Sequence, residues 1–197
     1  MLCKKYPVEK LIPWLILLAA IISSIIVYRH FKQPYIQAVN TLALFENATA
    51  VDEAFQSVKS LAEQAGSETI RVIYFWQAYC PCNAPVLSHY NAMQREYSDK
   101  GIRFLLADLS PAAEGYSVPF DKLVDNSFAQ TLKSIVTYTP SVAIWDANNN
   151  LSYYGPHSLG FVCNAETSFV KKVIDTLLTG VSSVNVNTLG EGCFCST

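Results

Sequence analysis

The longest predominantly apolar stretch of the chain runs from Leu11 to Tyr28, eighteen residues without a charge. That length just meets what a helix needs to cross the hydrocarbon core of a bilayer. Trp14 and Tyr28 lie near its two ends, where amphipathic rings favour the membrane interface, and Pro13 falls in the first turn, where a missing N–H does little harm. The run ends Ile25-Ile26-Val27-Tyr28-Arg29, without the small-residue cleavage site of a signal peptide. Polar residues do not recur across it at helical spacing, as they would in a core helix. The pattern predicts an uncleaved transmembrane anchor within residues 1–32, then a polar connector over residues 33–50.

Shorter periodic segments follow. Val51, Ala54, Phe55, Val58, Leu61, Ala62 and Ala65 recur at helical spacing and end at Gly66. Ile70 to Trp76 is a strand rich in β-branched and aromatic residues. A helix is predicted from about Cys82 to Asp99, closed by Gly101, and a strand over Arg103–Leu109, apolar enough to be buried on both faces. Residues 110–119 are loop, and Leu123, Val124, Phe128 and Leu132 mark a further helix over 120–134. Ser141–Asp146 and Leu151–Tyr154 flank Asn148-Asn149-Asn150, a hairpin signal. A last helix near Glu166 carries Phe169, Val170, Val173, Ile174, Leu177 and Leu178 on one face and stops at Gly180. The order β-α-β-α-β-β-α predicts an α/β domain over residues 51–180, a central mixed sheet flanked by helices, with a cysteine-containing tail over 181–197.

At 197 residues the chain has room for one such domain beside its anchor. A net charge of −2 offers no electrostatic footprint for nucleic acid, and no nucleic-acid partner is expected. Lys4, Lys5 and Lys10 precede the apolar run while Arg29 and Lys32 follow it, a three-to-two bias toward a cytoplasmic N-terminus. One cysteine, Cys3, precedes the anchor and five follow it. A domain outside the reducing cytosol is free to hold disulfides. These features predict a single-pass inner-membrane protein, N-terminus cytoplasmic and soluble domain periplasmic, touching lipid through its N-terminal helix.

The strand ending Phe75-Trp76-Gln77-Ala78-Tyr79-Cys80-Pro81-Cys82 resembles the cysteine-bearing strand of the thioredoxin-like superfamily, and within it the membrane-tethered TlpA/DsbE-type branch. The order of elements extends the resemblance over residues 50–180. It implies a thioredoxin-like fold, a thiol–disulfide oxidoreductase or isomerase acting through a mixed disulfide at Cys80, and a cis peptide bond before Pro140 in Tyr138-Thr139-Pro140-Ser141. The backbone of Thr139 would then face Cys80 and be available to an incoming peptide, with Trp76 and Tyr79 as further residues around the thiol. Two departures stand out. The motif is Cys-x-Cys, one residue short of the usual spacing, and Tyr74 stands where thioredoxins carry a buried acid.

A cysteine at a strand-to-helix junction meets free backbone N–H groups and positive partial charge, and these stabilise the reactive thiolate. In Cys-x-x-Cys the two sulfurs meet on one helix face. Removing one residue rotates the partner by about 200° if both are helical. Either Cys80 and Cys82 form a tight ring with Cys80 outside the helix, or Cys80 works with a partner elsewhere. Cys163, Cys193 and Cys195 are the candidates to resolve the mixed species or form a second redox site. A protein or small-thiol substrate and a separate redox partner are expected, and no cofactor. Two alternatives stay open: a copper or zinc binding or delivery protein using its Cys-x-Cys pairs, and a non-catalytic peptide-binding module. Among the histidines, His89 is expected as a satisfied, semi-buried side chain, His30 at the membrane interface, and His157 as a candidate ligand or proton shuttle.

Overall fold

The computed structural model describes residues 11–31, 35–38, 53–56, 58–60, 69–110, 132–133, 135–158, 167–182, 185–186 and 191–197. It divides into two compact units, Met1–Ile36 and Gln37–Thr197.

The first unit is dominated by helix α1 (Ile12–Phe31). Its 20 residues rise about 30 Å, the thickness of a hydrocarbon core. The window Ile12–His30 is long and apolar enough to cross a membrane, and none of it is buried within the protein. The hydroxyl of Ser24 donates to the Ala20 carbonyl one turn back at 2.9 Å, so that polar group is satisfied inside the helix. Arg29 and His30 occupy the last turn, where positive charge complements the helix dipole. A three-residue strand, β1 (Ile36–Ala38), follows.

The second unit is built on strand β2 (Ile70–Trp76). It runs parallel to β3 (Ile102–Asp108) and antiparallel to β5 (Ser141–Trp145). Strand β5 pairs antiparallel with β6 (Leu151–Gly155), and β6 runs parallel to β7 (Asn185–Val186), giving the order β3-β2-β5-β6-β7. Successive side chains of a strand point to opposite faces, and β2 is buried on both, Arg71 among its buried residues donating to the Asp146 carbonyl at 3.1 Å. Val72, Tyr74 and Trp76 face a core completed by helices α2 (Asn83–Glu96) and α3 (Phe169–Leu178). Ile73 and Phe75 face a second core with Phe55, Val58, Leu105 and Leu132. A parallel strand pair bridged by a helix, then an antiparallel hairpin entered through a cis proline, is the thioredoxin-like arrangement that the sequence resembles.

Element ends follow local chemistry. The α2 helix begins at Asn83 and ends at Glu96, shorter at each end than the pattern predicts, with Gly101 at φ 66° beyond it. Ser168 caps α3 by accepting from the Lys171 N–H at 3.1 Å, and Gly180 at φ 81° takes the left-handed conformation that stops it. Val170 and Ile174 are buried, whereas Leu178 of the predicted face is exposed. The hairpin turn is held by the Asp146 carboxylate, which accepts from the backbone N–H groups of Asn148 and Asn150 at 2.9 Å each. Burial alone would push its pKa up, but hydrogen bonds from Ser182, Asn150 and Asn148 outweigh that and hold it below the ordinary value. Of the predicted helix at 51–65, Phe55 and Val58 are described and fully buried. Most of the predicted 120–134 helix lies outside the described residues.

Candidate functional site

The chain leaves β2 at Trp76 and reaches α2 at Asn83 through a turn with several fixed points. The Leu109 N–H donates to the Trp76 carbonyl at 2.7 Å, and the Ala78 N–H donates to Ser110 Oγ, whose hydroxyl donates to Asp108 at 2.6 Å. The Gln77 carbonyl accepts from the Cys80 N–H at 3.3 Å and from the Asn83 side-chain amide at 2.6 Å. The Asn83 N–H donates to the Cys80 carbonyl at 3.1 Å, so Cys80 sits one tight turn ahead of the helix. Cys82, rather than Cys80, stands at the N-cap, and its side chain makes no capping hydrogen bond to the helix amides.

The two sulfurs of the Cys80-Pro81-Cys82 motif are bonded to the tail and not to each other. Cys80 pairs with Cys195 and Cys82 with Cys193, with Cα separations of 6.0 and 5.4 Å. The register is antiparallel, first with last, and follows from the backbone of the tail. Strands β8 (Glu191–Cys193) and β9 (Cys195–Ser196) flank Phe194. In extended chain, residues two apart share a face, so Cys193 and Cys195 present both sulfurs to one side and Phe194 goes the other way. Its ring packs on Tyr138 with centroids 4.9 Å apart and is 3% exposed. The ring also folds over Gly192, where an added Cβ would stand 2.8 Å from Phe194 Cζ. Only a glycine leaves that space.

The tail lies on the edge that precedes Pro140. Strand β4 (Tyr138–Thr139) pairs antiparallel with β9, Tyr138 opposite Ser196 and Thr139 opposite Cys195. The Thr139–Pro140 bond is cis, as the resemblance implies. The Cys80 sulfur lies 3.8 Å from the Thr139 carbonyl oxygen, so Thr139 does face Cys80. The backbone edge it offers to a peptide is taken by the chain's own Cys195–Ser196 strand. Thr197 adds two further ties, its N–H to the Thr137 carbonyl at 3.4 Å and its hydroxyl to the Val136 carbonyl at 2.6 Å.

The predicted site residues divide accordingly. Cys80, Cys82, Cys193, Cys195, Thr139 and Pro140 come together. The cysteines of the first motif are 6% and 1% exposed, covered in this disulfide-bonded state. Tyr79 projects into solvent, 83% exposed at φ 65°. Trp76 is buried instead of lining the surface around the thiol, because it belongs to the core face of β2 with Val72 and Tyr74. Cys163, and Cys3 before the anchor, lie outside the described residues. Among the described residues, Cys80, Cys82 and Cys195 are a group whose possible metal-ligand atoms all lie within 4.8 Å of one another.

A second polar cluster sits beneath the helix layer. The Tyr74 hydroxyl is 2.8 Å from His157 Nδ1, and His157 Nε2 is 2.5 Å from His89 Nδ1. His157 is 2% exposed. Burial, with a smaller contribution from the neighbouring His89, pushes its pKa down to about 3, so it is a neutral imidazole at ordinary pH. Burial and the charge of Lys171 lower His89 in the same direction. Where thioredoxins bury an acid, this chain buries a tyrosine joined to two histidines. Sequence spacing links His89 to Cys82, but nothing in it links His89 to His157, 68 positions away.

Residues 49–197 match the family described as Domain of unknown function (DUF6436). The chain belongs to that family. Among solved structures, the DUF6436 chain superposes on an uncharacterized conserved protein from Geobacillus kaustophilus with a TM-score of 0.54 and 23% identity, covering 68% of this chain and 79% of that one. A hypothetical protein from Sinorhizobium meliloti 1021 gives a TM-score of 0.53 at 18% identity, covering 69% and 82%. At these identities the likeness concerns the fold. No curated protein matches the sequence.

Proposed function

We propose that this DUF6436 protein is a membrane-anchored thiol–disulfide exchange protein in which Cys80 is the attacking sulfur and Cys195 its intramolecular partner. One observation carries the reading: Cys80 is bonded to a cysteine whose backbone is paired with Thr139, directly before cis-Pro140. The tail thereby has the form of a peptide held as a mixed disulfide, with main-chain pairing for affinity and a sulfur at the nucleophile. An incoming thiolate attacks Cys80 Sγ. The Cys80–Cys195 bond breaks, its electron pair leaves on the Cys195 sulfur, and a substrate–Cys80 disulfide forms. A second substrate thiol then attacks the substrate sulfur of the mixed species, forming the substrate disulfide and freeing Cys80 as a thiol. In the reverse direction the Cys80 thiolate attacks a substrate disulfide and one substrate thiol leaves. Cys195 then attacks Cys80 to release the other and re-form the Cys80–Cys195 bond. The net reaction exchanges one disulfide for two thiols, and it runs in whichever direction the surrounding potentials favour.

The full-length protein in detergent is expected to exchange disulfides with insulin or glutathione, and Cys80→Ser is expected to abolish this. Cys195→Ser is expected to accumulate a mixed disulfide on Cys80, identified by mass spectrometry. Exchange that survives Cys80→Ser refutes the assignment. We further place the N-terminus in the cytoplasm and the domain in the periplasm, from the charge bias and the disposition of the cysteines around α1. A membrane-impermeant maleimide applied to intact spheroplasts after reduction should then label Cys80 and Cys195 and spare Cys3. The reverse labelling would invert the topology.

A further inference from the structure

The four cysteines have a second chemistry open to them once they are thiols. We propose that the reduced form of this domain binds one Zn2+ through Cys80, Cys82, Cys193 and Cys195. A tetrahedral tetrathiolate site has Zn–S bonds of about 2.3 Å, which sets sulfur–sulfur edges of about 3.8 Å. The possible ligand atoms of Cys80, Cys82 and Cys195 already lie within 4.8 Å of one another. The fourth sulfur, on Cys193, is bonded to that of Cys82. Reduction removes the two bonds and lets each pair move apart to non-bonded distance, the direction a tetrahedron requires.

The tail must stay docked when its covalent ties are cut, and it has other ties. Phe194 is buried on Tyr138, β9 is paired with β4, and Thr197 is bonded to the carbonyls of Thr137 and Val136. None of these involves a sulfur. In the extended segment the two tail sulfurs share a face, and across from them Cys82 stands at the start of α2, where helix amides favour negative charge. An all-sulfur donor set selects thiophilic cations over calcium or magnesium, and four thiolates in a tetrahedron suit Zn2+.

The chemistry balances with a dithiol as reductant. Two dithiol molecules reduce the two disulfides to four thiols and are themselves oxidised to two cyclic disulfides. Zn2+ then displaces four thiol protons, so binding weakens as pH falls. This proposal does not depend on Cys80 exchanging with any substrate, because the metal is measured with no thiol substrate present.

The test uses the full-length chain in detergent, reduced and kept anaerobic, with Zn2+ alone as the probe. Competition against a chromophoric chelator should show one Zn2+ per reduced chain and none per oxidised chain. In the unmutated protein Zn2+ should slow alkylation of Cys80, Cys82, Cys193 and Cys195 together, read by peptide mass spectrometry, and leave Cys3 and Cys163 unchanged. Cys193→Ser should weaken binding at least ~10-fold, the low end of what losing even an outer-shell partner costs. The proposal fails if the reduced chain retains no Zn2+ against the chelator, or if Zn2+ protects Cys3 and Cys163 as strongly as the other four. Because the alkylation readout needs no substitution, a variant that misfolds does not rescue the idea.

Discussion

Removing the two disulfides one at a time should show strong non-additivity, whose size follows from the connectivity. Cys80–Cys195 spans 115 positions and Cys82–Cys193 spans 111. Taken alone, a cross-link closing a loop of that length lowers the entropy of the unfolded chain by the equivalent of about 4.8 kcal/mol. The two loops are nearly the same loop, however. With either bridge in place, the other closes only the small ring of residues 80–82 and 193–195, six residues, for about 2 kcal/mol by the same relation. The paired variants Cys80→Ser/Cys195→Ser and Cys82→Ser/Cys193→Ser should each cost about 2 kcal/mol, and the quadruple variant about 7 kcal/mol. That last figure is comparable to the whole stability of many domains. The assay is urea unfolding of the full chain in detergent, followed by tryptophan fluorescence, with midpoints and slopes compared under non-reducing conditions. Paired losses of about 5 kcal/mol each that simply add would mean the bridges close independent loops. A quadruple variant within about 2 kcal/mol of wild type would mean the tail is not cross-linked to the first motif at all.

Two other outcomes follow from the same fold. His157 has a folded-state pKa of about 3 against an ordinary value of 6.5, so between those values the unfolded chain binds a proton that the native chain does not. Its contribution is fully present above pH 6.5 and is lost as pH falls toward 3. Between pH 6.5 and 5 that amounts to about 2 kcal/mol. His157→Asn should flatten the decline of the urea midpoint over this window, and parallel profiles would refute the linkage. Phe194→Ala removes the aromatic contact that docks the tail, at a cost of about 3 kcal/mol at the low end for a buried phenylalanine. In glutathione redox buffers the closing constant of both tail disulfides should therefore fall roughly a hundredfold, and an unchanged constant would show that the ring does not hold the tail.

Much of the frame was legible because it is written in local patterns. The β2 run, the helix opening at the cysteines and the Asn-rich hairpin turn each depend on neighbours in sequence, and the place of cis-Pro140 came from the resemblance. Cysteine pairing is different. Spacing alone left Cys82, Cys163 and the tail pair open together as partners of Cys80. The choice is made by a long-range event, the pairing of a two-residue strand with Tyr138–Thr139, and a segment that short carries no periodicity to read. Trp76 misled for a related reason. Its place beside the motif suggests a surface role, but the period-two alternation of β2 assigns it to the core with Val72 and Tyr74. The His89–His157–Tyr74 chain joins three elements, and no sequence window contains it.

The docked tail also sets the terms on which any external thiol can act. A partner tethered to the same chain competes at an effective concentration in the millimolar range or above, and this one is further held by backbone pairing and by Phe194. A free thiol at micromolar concentration is therefore outcompeted at Cys80 unless it forms main-chain contacts with Thr139 in place of Cys195, or the tail lifts first. The two requirements coincide, because the tail occupies the edge that a substrate peptide would use. Under the proposed exchange chemistry, substrates that enter as extended segments would displace the tail strand and its sulfur together, whereas small thiols would have to wait for the strand to open. An exchange site closed in this way would favour substrates by their backbone as well as by their sulfur. On that reading the discrimination would come from residues 193–197, far in sequence from the proposed nucleophile Cys80.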